Sequence, residues 1–218
     1  MPARSDEVEA TAATVRSRGG SASVITFDVT ADDDVNAAVA DVLARHGRID
    51  ILVHHAGVMM RSPSFETSVA DWQRVIDVNL TGTWLVARAA ARNMVERGSG
   101  SIITTSSLYT AIVGPIPEPA YYASKAGVAN LTRGLAAEWG LSGVTVNCLA
   151  PGVFFPTQMT QPLADDPGRL EQMSKRTLLG RLGDPAVDLG GTVVWLASDA
   201  ARYVTGQVIY IDGGWTAW

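Results

Sequence analysis

Short apolar runs alternate along the chain with longer segments in which apolar residues recur every three or four positions. Short apolar runs are typical of buried strands, and the wider spacing is typical of amphipathic helices. The runs predict strands over residues 23–27, 50–54, 101–105, 144–149 and 208–211. The amphipathic segments predict helices over residues 6–18, 31–46, 69–97, 120–141 and 187–198. Strands that alternate with helices indicate an α/β fold with a doubly wound, Rossmann-type parallel sheet.

One stretch departs from this alternation. Between Pro156 and Asp184 the chain is rich in Pro, Gly, Asp and Met, and it is long enough to be a substrate-side insertion or lid. The sequence contains no internal repeat, linker or low-complexity tract. We therefore predict that residues 1–218 form a single domain, a size that α/β domains reach without splitting.

Composition narrows the class of protein. Of the 218 residues 47% are hydrophobic and 18% are charged, which supports a sizeable core and argues against disorder. The net charge of -5, with no Lys/Arg run, disfavours a nucleic-acid or anionic-membrane partner. No stretch approaches the ~20 apolar residues of a membrane span, and the first residues lack the apolar core of a signal peptide. We expect a cytoplasmic protein, with the single cysteine, Cys148, as a buried and inert thiol.

A tyrosine and a lysine with complementary acid–base chemistry stand at the start of the predicted helix 120–141. Tyr121 and Lys125 are four residues apart and would share one helix face, a spacing that excludes Tyr122. A free tyrosine has a pKa of about 10, and a neighbouring ammonium group lowers it by favouring the phenolate. Tyr121 is therefore a candidate general acid or base. The pair alone is a weak signal, because this spacing is common on ordinary surface helices.

Two polar residues upstream add to the acid–base hypothesis. Ser107 ends the run SIITTSS, where its hydroxyl could donate to a reacting oxygen, although a serine at a strand end is usually a turn residue. Asn79 falls inside the predicted helix 69–97, where asparagine is unfavourable unless its amide has a role. A packing or kink role is the alternative for Asn79.

The chain resembles the short-chain dehydrogenase/reductase family in eight segments that occur in the family's order and spacing. These are FDVT at 27–30, LVHHAG at 52–57, VNLTG at 78–82, SIITTSS at 101–107, YYASK at 121–125, VNCLAPG at 146–152, KRTLLGRLGDP at 175–185 and VTGQVIYIDGG at 204–214. The resemblance implies an oxidoreductase that transfers a hydride between NAD or NADP and a secondary alcohol or ketone. It also implies a homo-tetramer or homo-dimer with a small-molecule substrate.

The same resemblance implies roles for single residues. Tyr121 would be the acid/base, and Lys125 would lower its pKa and hold the nicotinamide ribose. Ser107, chosen over Ser106 from the strand alignment, would orient the substrate oxygen, and Asn79 would help to hold a water in a proton relay. Besides Tyr121 and Lys125, the implied cofactor-binding residues are Asp28 and Val29 at the adenine, His55, Ala56 and Gly57 in a turn against the cofactor, and Pro151, Gly152, Phe154 and Thr157 along the nicotinamide.

The pattern departs from the family at His54 and His55, where the family usually has two asparagines. A metal site is not expected there, because neighbouring residues on a strand point to opposite faces. Substitution at a cofactor-lining turn is the favoured interpretation.

A second departure lies at the start of the chain. The family begins with a strand, a Gly-rich TGxxxGIG turn, a helix and a second strand, whereas the first glycines here, Gly19 and Gly20, follow a predicted helix. We expect a fold truncated at its N-terminus, without a β-α-β unit of roughly 30–40 residues. The explanations considered are a start placed too far downstream, a real short variant, and a non-catalytic relative with an impaired cofactor site.

The substrate class is less well defined. The segment KRTLLGRLGDP and the closing IDGGWTAW are similar to the branch that contains gluconate 5-dehydrogenases, which indicates a sugar acid, polyol or cyclic ketone. A lyase or isomerase that uses Tyr121 without hydride transfer is the alternative enzyme. Four apolar residues are candidates for a substrate pocket or for ordinary core, namely Trp84, Phe154, Phe155 and Met159.

Overall fold

The computed structural model describes residues 5–218, which contain one four-stranded parallel sheet. Its strands are adjacent in chain order: β1 (Ile51–Val53), β2 (Gly100–Thr105), β3 (Val144–Pro151) and β4 (Val208–Ile211). In the register of β2 and β3, Ile102 pairs with Val146. The predicted α/β fold with a parallel sheet is confirmed.

In the described part of the chain, residues 5–218, seven α-helices connect and cover these strands. They are α1 (Ser5–Ser17), α2 (Asp32–His46), α3 (Val69–Ile76), α4 (Gly82–Arg97), α5 (Pro119–Trp139), α6 (Pro167–Lys175) and α7 (Gly190–Leu196). Gly47 and Gly98 end α2 and α4 in the left-handed conformation, with φ of 74° and 72°, which glycine adopts without steric cost. Helix α6 lies inside the stretch predicted as an insertion. Within residues 5–218, no helix is long and apolar enough to cross a membrane.

Helices cover both faces of the sheet. Ile102 and Ile103 are adjacent on β2 and point to opposite faces, as strand geometry requires. Ile102 packs in a cluster with Met94 of α4, whereas Ile103 packs in a second cluster with Leu196 of α7. The sheet is therefore doubly wound, with α4 and α5 on one side and α7 on the other.

The predicted strand over residues 23–27 is wrong, because the structure shows no strand there. A strand needs a neighbour for its backbone N–H and C=O groups, and none of the four described strands pairs with this segment. The apolar side chains at and just after its end pack against helices instead. Phe27 and Val29 contact the cluster formed by Val35 of α2 and by Leu85 and Val86 of α4.

The predicted helix 69–97 is one continuous helical segment with a wider turn in its middle. Ser68 caps α3 by accepting the backbone N–H of Asp71. Residues Asp77–Thr81 then form a π-helical turn, in which the N–H of Gly82 donates to the carbonyl of Asp77. Such turns occur mostly as single insertions in α-helices and frequently at functional sites. Asn79 lies in this turn.

Candidate active site

The predicted site residues gather where the parallel strands end. The turn His54–Gly57 follows β1, Ser106 and Ser107 follow β2, and the segment 152–157 follows β3. In open α/β sheets, ligands bind in the crevice beyond the carboxyl ends of the strands. The fold therefore brings segments that are distant in sequence to one edge of the sheet.

Helix α5 supplies the tyrosine and the lysine. Pro119 occupies its first turn, a position where the missing N–H of proline costs nothing. Tyr121 and Lys125 follow one turn apart on the same face and are buried, with 6% and 4% of their surfaces exposed. The Lys125 ammonium lies 5.6 Å from the centroid of the Tyr121 ring.

The pKa values of these two residues differ from what the sequence predicts. Burial raises the pKa of Tyr121 to about 12, and the hydrogen bond from Ser107 only partly opposes this. Burial also lowers the pKa of Lys125 to about 8. The expected lowering of the tyrosine pKa by Lys125 is not seen, because loss of hydration dominates for both groups. Near pH 7, Tyr121 is protonated and is therefore set to donate.

The two neighbouring serines face different partners. The Ser107 hydroxyl acts on the phenol of Tyr121, whose pKa it lowers, and accepts the backbone N–H of Tyr109 at 3.3 Å. The Ser106 hydroxyl instead donates to the backbone carbonyl of Lys125 at 2.6 Å. Ser106 thus connects β2 to α5, and Ser107 lies beside the phenol.

Asn79 links three segments of the site and is fully buried. Its Oδ1 accepts the backbone N–H of Val58 at 2.7 Å, and its Nδ2 donates to the Val58 carbonyl at 2.9 Å. Nδ2 also donates to the Ser124 hydroxyl of α5 at 3.0 Å. The amide therefore ties the π-helical turn, the segment after β1 and α5 together, and one lone pair of Oδ1 is left over.

The turn after β1 fits a nicotinamide cofactor. A Cβ atom at Gly57 would lie 3.3 Å from Asn79 Oδ1 and 3.4 Å from Lys125 Nζ, so that only glycine leaves this space open. Lys125 Nζ donates to the carbonyl of Thr105 at 3.0 Å. Its other two N–H groups have no partner among residues 5–218 and suit the hydroxyl oxygens of a ribose.

Asp28 and Val29 lie in the connection that leads into α2. The Asp28 carboxylate accepts the backbone N–H and the hydroxyl of Thr30 at 2.8 and 2.7 Å, and these bonds lower its pKa. Val29 packs against Gly82. Asp28 thus shapes the turn, while Val29 contributes to the packing between α2 and α4.

The residues after β3 are held by their own local contacts. Pro151 ends the strand, and Gly152 lies so close to Asp212 that a Cβ atom would be 2.6 Å from its Cα. Phe154 is buried and forms an isolated bridge with Gly183. The hydroxyl of Thr157 pairs with that of Thr160 at 2.8 Å. The segment after β3 therefore packs against the residue that follows β4 and against Gly183.

The two histidines differ in their environments. His54 is buried, its Nε2 has no hydrogen-bond partner among the described residues, and burial lowers its pKa to about 4, aided by Lys125 and His55. The Nδ1 of His55 lies 3.2 Å from the Thr105 hydroxyl, which itself donates to the His54 carbonyl. Nδ1 of His55 must therefore carry the hydrogen. Within residues 5–218, no group of three or more His, Cys, Asp and Glu side chains is placed to hold a metal.

A cavity of about 530 Å³ opens beside the Gly57 turn. Its lining residues are Gly57, Val58, Met59, Met60, Arg61, Asp71, Arg74, Val75, Gln158 and Met159. Of the four apolar residues proposed for a pocket, Met159 lines this cavity, while Phe154 borders a smaller one of about 120 Å³. The site also contains two residues that the sequence pattern did not predict, Arg61 and its buried partner Glu118, which hydrogen-bond at 2.9 Å. The signal for Glu118 was its place between Pro117 and Pro119 at the start of α5.

Comparisons with known proteins identify the family. A family model described as enoyl-(acyl carrier protein) reductase matches residues 2–216. A short-chain type dehydrogenase/reductase from Mycobacterium marinum superposes with a TM-score of 0.92 at 37% identity, over 99% of this chain and 84% of that one. The chain belongs to the short-chain dehydrogenase/reductase family.

Two further proteins that are similar to this chain are named for a specific reaction. The 2-dehydro-3-deoxy-D-gluconate 5-dehydrogenase of Bacillus subtilis (strain 168) is 42% identical over 190 residues, which cover 87% of this chain and 73% of the relative. A gluconate 5-dehydrogenase from Burkholderia cenocepacia J2315, solved with NADP and tartrate, has a TM-score of 0.91 at 37% identity and covers 99% of this chain and 83% of that one. The prediction of an NAD(P)-dependent oxidoreductase acting on a secondary alcohol or ketone is confirmed.

Proposed function

We propose that this short-chain dehydrogenase/reductase reversibly oxidises a secondary alcohol of a sugar acid or polyol to the ketone, with NAD or NADP. The observation that carries the proposal is the buried group of Ser107, Tyr121 and Lys125 beside the Gly57 turn. When bound, the nicotinamide ring donates or accepts the hydride.

The residues of the chain handle the proton. In the direction of ketone reduction, the protonated Tyr121 donates its phenolic hydrogen to the substrate oxygen as the C–H bond forms on the carbonyl carbon. Ser107, which acts on the same phenol, donates to the substrate oxygen and fixes its position. The positive charge of Lys125 stabilises the phenolate that remains after Tyr121 has donated its proton. Asn79 holds α5 beside the segment that contains the Gly57 turn. Alcohol oxidation reverses these steps.

The substrate assignment rests on the relatives and on the cavity. The relatives named above act on gluconate or on a dehydro-deoxy-gluconate. The cavity of about 530 Å³ has a volume suited to a small polar molecule and carries two arginines, Arg61 and Arg74, in its wall. Both features favour an oxygen-rich substrate over a purely apolar one.

We also propose a cytoplasmic homo-dimer or homo-tetramer. Large apolar side chains are exposed on α4 and just after α5, including Trp84 and Leu141, and Trp218 is exposed at the C-terminus. Exposed apolar side chains on neighbouring elements favour association. Light scattering should give the mass of a dimer or tetramer at micromolar concentration, and a stable monomer would contradict this part of the proposal.

The function is tested by turnover with defined substrates. The purified protein is mixed with NAD⁺ or NADP⁺ and with D-gluconate, galactitol or a cyclic secondary alcohol, and formation of reduced cofactor is followed by absorbance. We expect reduced cofactor to form with at least one of these alcohols. Conversion of an alcohol substrate without any cofactor would instead support a lyase or isomerase. Absence of both cofactor binding and turnover would support a non-catalytic protein.

A further inference from the structure

A carboxylate lies buried at the entrance to the catalytic helix. Glu118 directly precedes α5, three residues before Tyr121, and only 2% of its surface is exposed. Its backbone carbonyl accepts the N–H of Tyr122 at 3.0 Å. Glutamate is almost never fully buried unless it is paired, so the identity of its partner indicates its role.

That partner is Arg61, which lines the cavity. Arg61 donates through Nε to Oε1 of Glu118 at 2.9 Å, while 42% of the arginine side chain stays exposed. The terminal N–H groups of Arg61 have no hydrogen-bond acceptor among residues 5–218. Oε2 of Glu118 is buried and has no partner in the same part of the chain. The pair thus leaves the terminal N–H groups of Arg61 and the Oε2 atom of Glu118 without partners among residues 5–218.

Glu118 lies under the influence of two guanidinium groups. Burial raises the pKa of the Glu118 carboxyl, and the charges of Arg61 and Arg169 oppose this rise. Of these two arginines, Arg61 lines the cavity, and its charge is balanced by its pairing with Glu118. Further along the wall Arg74 and Asp71 carry opposite charges, so these four groups sum to zero. The donors that an anionic group could use are therefore the N–H groups of Arg61 itself that are unpaired within residues 5–218.

We propose that Glu118 is a positioning residue: it anchors Arg61 by Nε, so that the free terminal N–H groups face the cavity and bind a carboxylate of the substrate. The inference rests on the proposed function and narrows its substrate to an anionic hydroxy acid, as opposed to a neutral polyol. A guanidinium held at Nε offers its remaining donors in a fixed plane, the geometry that suits a carboxylate.

The test compares one anionic and one neutral six-carbon substrate, D-gluconate and galactitol, in wild type and in Glu118→Ala, Arg61→Ala and the double variant. We expect wild type to favour D-gluconate. Glu118→Ala should raise KM for D-gluconate by about ten- to a hundredfold, the loss of a charge-assisted bond, with little change in kcat or in galactitol turnover. Glu118→Gln keeps an acceptor for Arg61 Nε and should restore most of the affinity.

The double variant shows whether Glu118 acts through Arg61. Its KM for D-gluconate should equal that of Arg61→Ala alone, since removing the anchor has no further effect once the arginine is gone. Glu171→Gln is the matched control, because Glu171 forms an exposed pair with Lys175, and it should behave as wild type. Thermal melts check folding, and if Glu118→Ala does not fold, Glu118→Gln and Arg61→Ala still decide the comparison.

The outcomes separate this inference from the proposed function. Equal KM values of wild type for both substrates, or an equal rise for both in Glu118→Ala, would overturn the inference and leave the dehydrogenase function intact. If wild type oxidises neither substrate, the proposed substrate range fails, and calorimetric titration with D-gluconate decides the inference. Binding that is lost in Glu118→Ala supports it, and absence of binding to wild type overturns it.

Discussion

Replacing Asn79 by alanine should destabilise the protein more than any exposed asparagine replacement. The change removes three hydrogen bonds, two to the Val58 backbone and one to the Ser124 hydroxyl, all made by a fully buried amide. At a net value of about 1 kcal/mol each, the free energy of unfolding should fall by about 3 kcal/mol. For a chain of this size, that corresponds to a decrease in Tm of roughly 6–12 °C.

Urea denaturation and calorimetry of Asn79→Ala measure this loss. The matched control is Asn36→Ala, because within residues 5–218 the Asn36 side chain donates only to the exposed Asp32 carboxylate, at 3.2 Å, and its loss should cost less than about 0.5 kcal/mol. The activity of Asn79→Ala should also fall, since Val58 adjoins the Gly57 turn. A free energy of unfolding within about 1 kcal/mol of wild type would refute the view that this amide holds the three segments together.

Three further predictions concern the site. Tyr121→Phe should reduce kcat by about 10²–10⁴-fold with an unchanged melting curve. Tyr122→Phe should keep kcat, because within residues 5–218 the Tyr122 hydroxyl bonds only to the loop backbone at Gly114 and Ile116, and initial rates of cofactor reduction decide this. His54 has a pKa of about 4 when folded and about 6.5 when unfolded, so the free energy of unfolding should fall by up to about 3 kcal/mol as the pH drops from 6.5 to 4. His54→Asn should flatten that part of the pH profile, measured by urea denaturation. An identical flattening by the exposed control His46→Asn would contradict the assignment to His54. Gly57→Val should raise KM for the nicotinamide cofactor by about tenfold or more, because the added atoms meet Asn79 and Lys125, and an unchanged KM would exclude this turn from the cofactor site.

Sequence patterns predicted strands and helices correctly where the local pattern and the tertiary contacts favour the same structure. The apolar runs at 101–105 and 144–149 became central strands because neighbours on both sides satisfy their backbone. The run at 23–27 has the same apolar pattern but does not form a strand, because strand pairing depends on a neighbour that a local pattern does not reveal. The position of Asn79 in a predicted helix indicated that its amide has partners, and the structure shows them, but the π-helical turn that contains Asn79 was not predicted.

Other parts of the site depend on contacts that no single segment encodes. The spacing of Tyr121 and Lys125 predicted their shared helix face, but not that burial would raise one pKa and lower the other. That outcome depends on how much of the protein surrounds them. Arg61 and Glu118 are 57 positions apart, and only the fold brings a turn after β1 against the start of α5.

The π-helical turn at Asp77–Thr81 also changes the phase of the helix that contains it. One extra residue rotates everything beyond it by about 100° relative to an unbroken α-helix. Val75 of α3 and Met94 of α4 would be about 100° apart on an unbroken α-helix, and the extra residue brings these two buried side chains onto the same side of the helical segment. Deleting a single residue from this turn would rotate the buried side of α4 by about 100° relative to that of α3, so that the two helices could no longer bury these faces together.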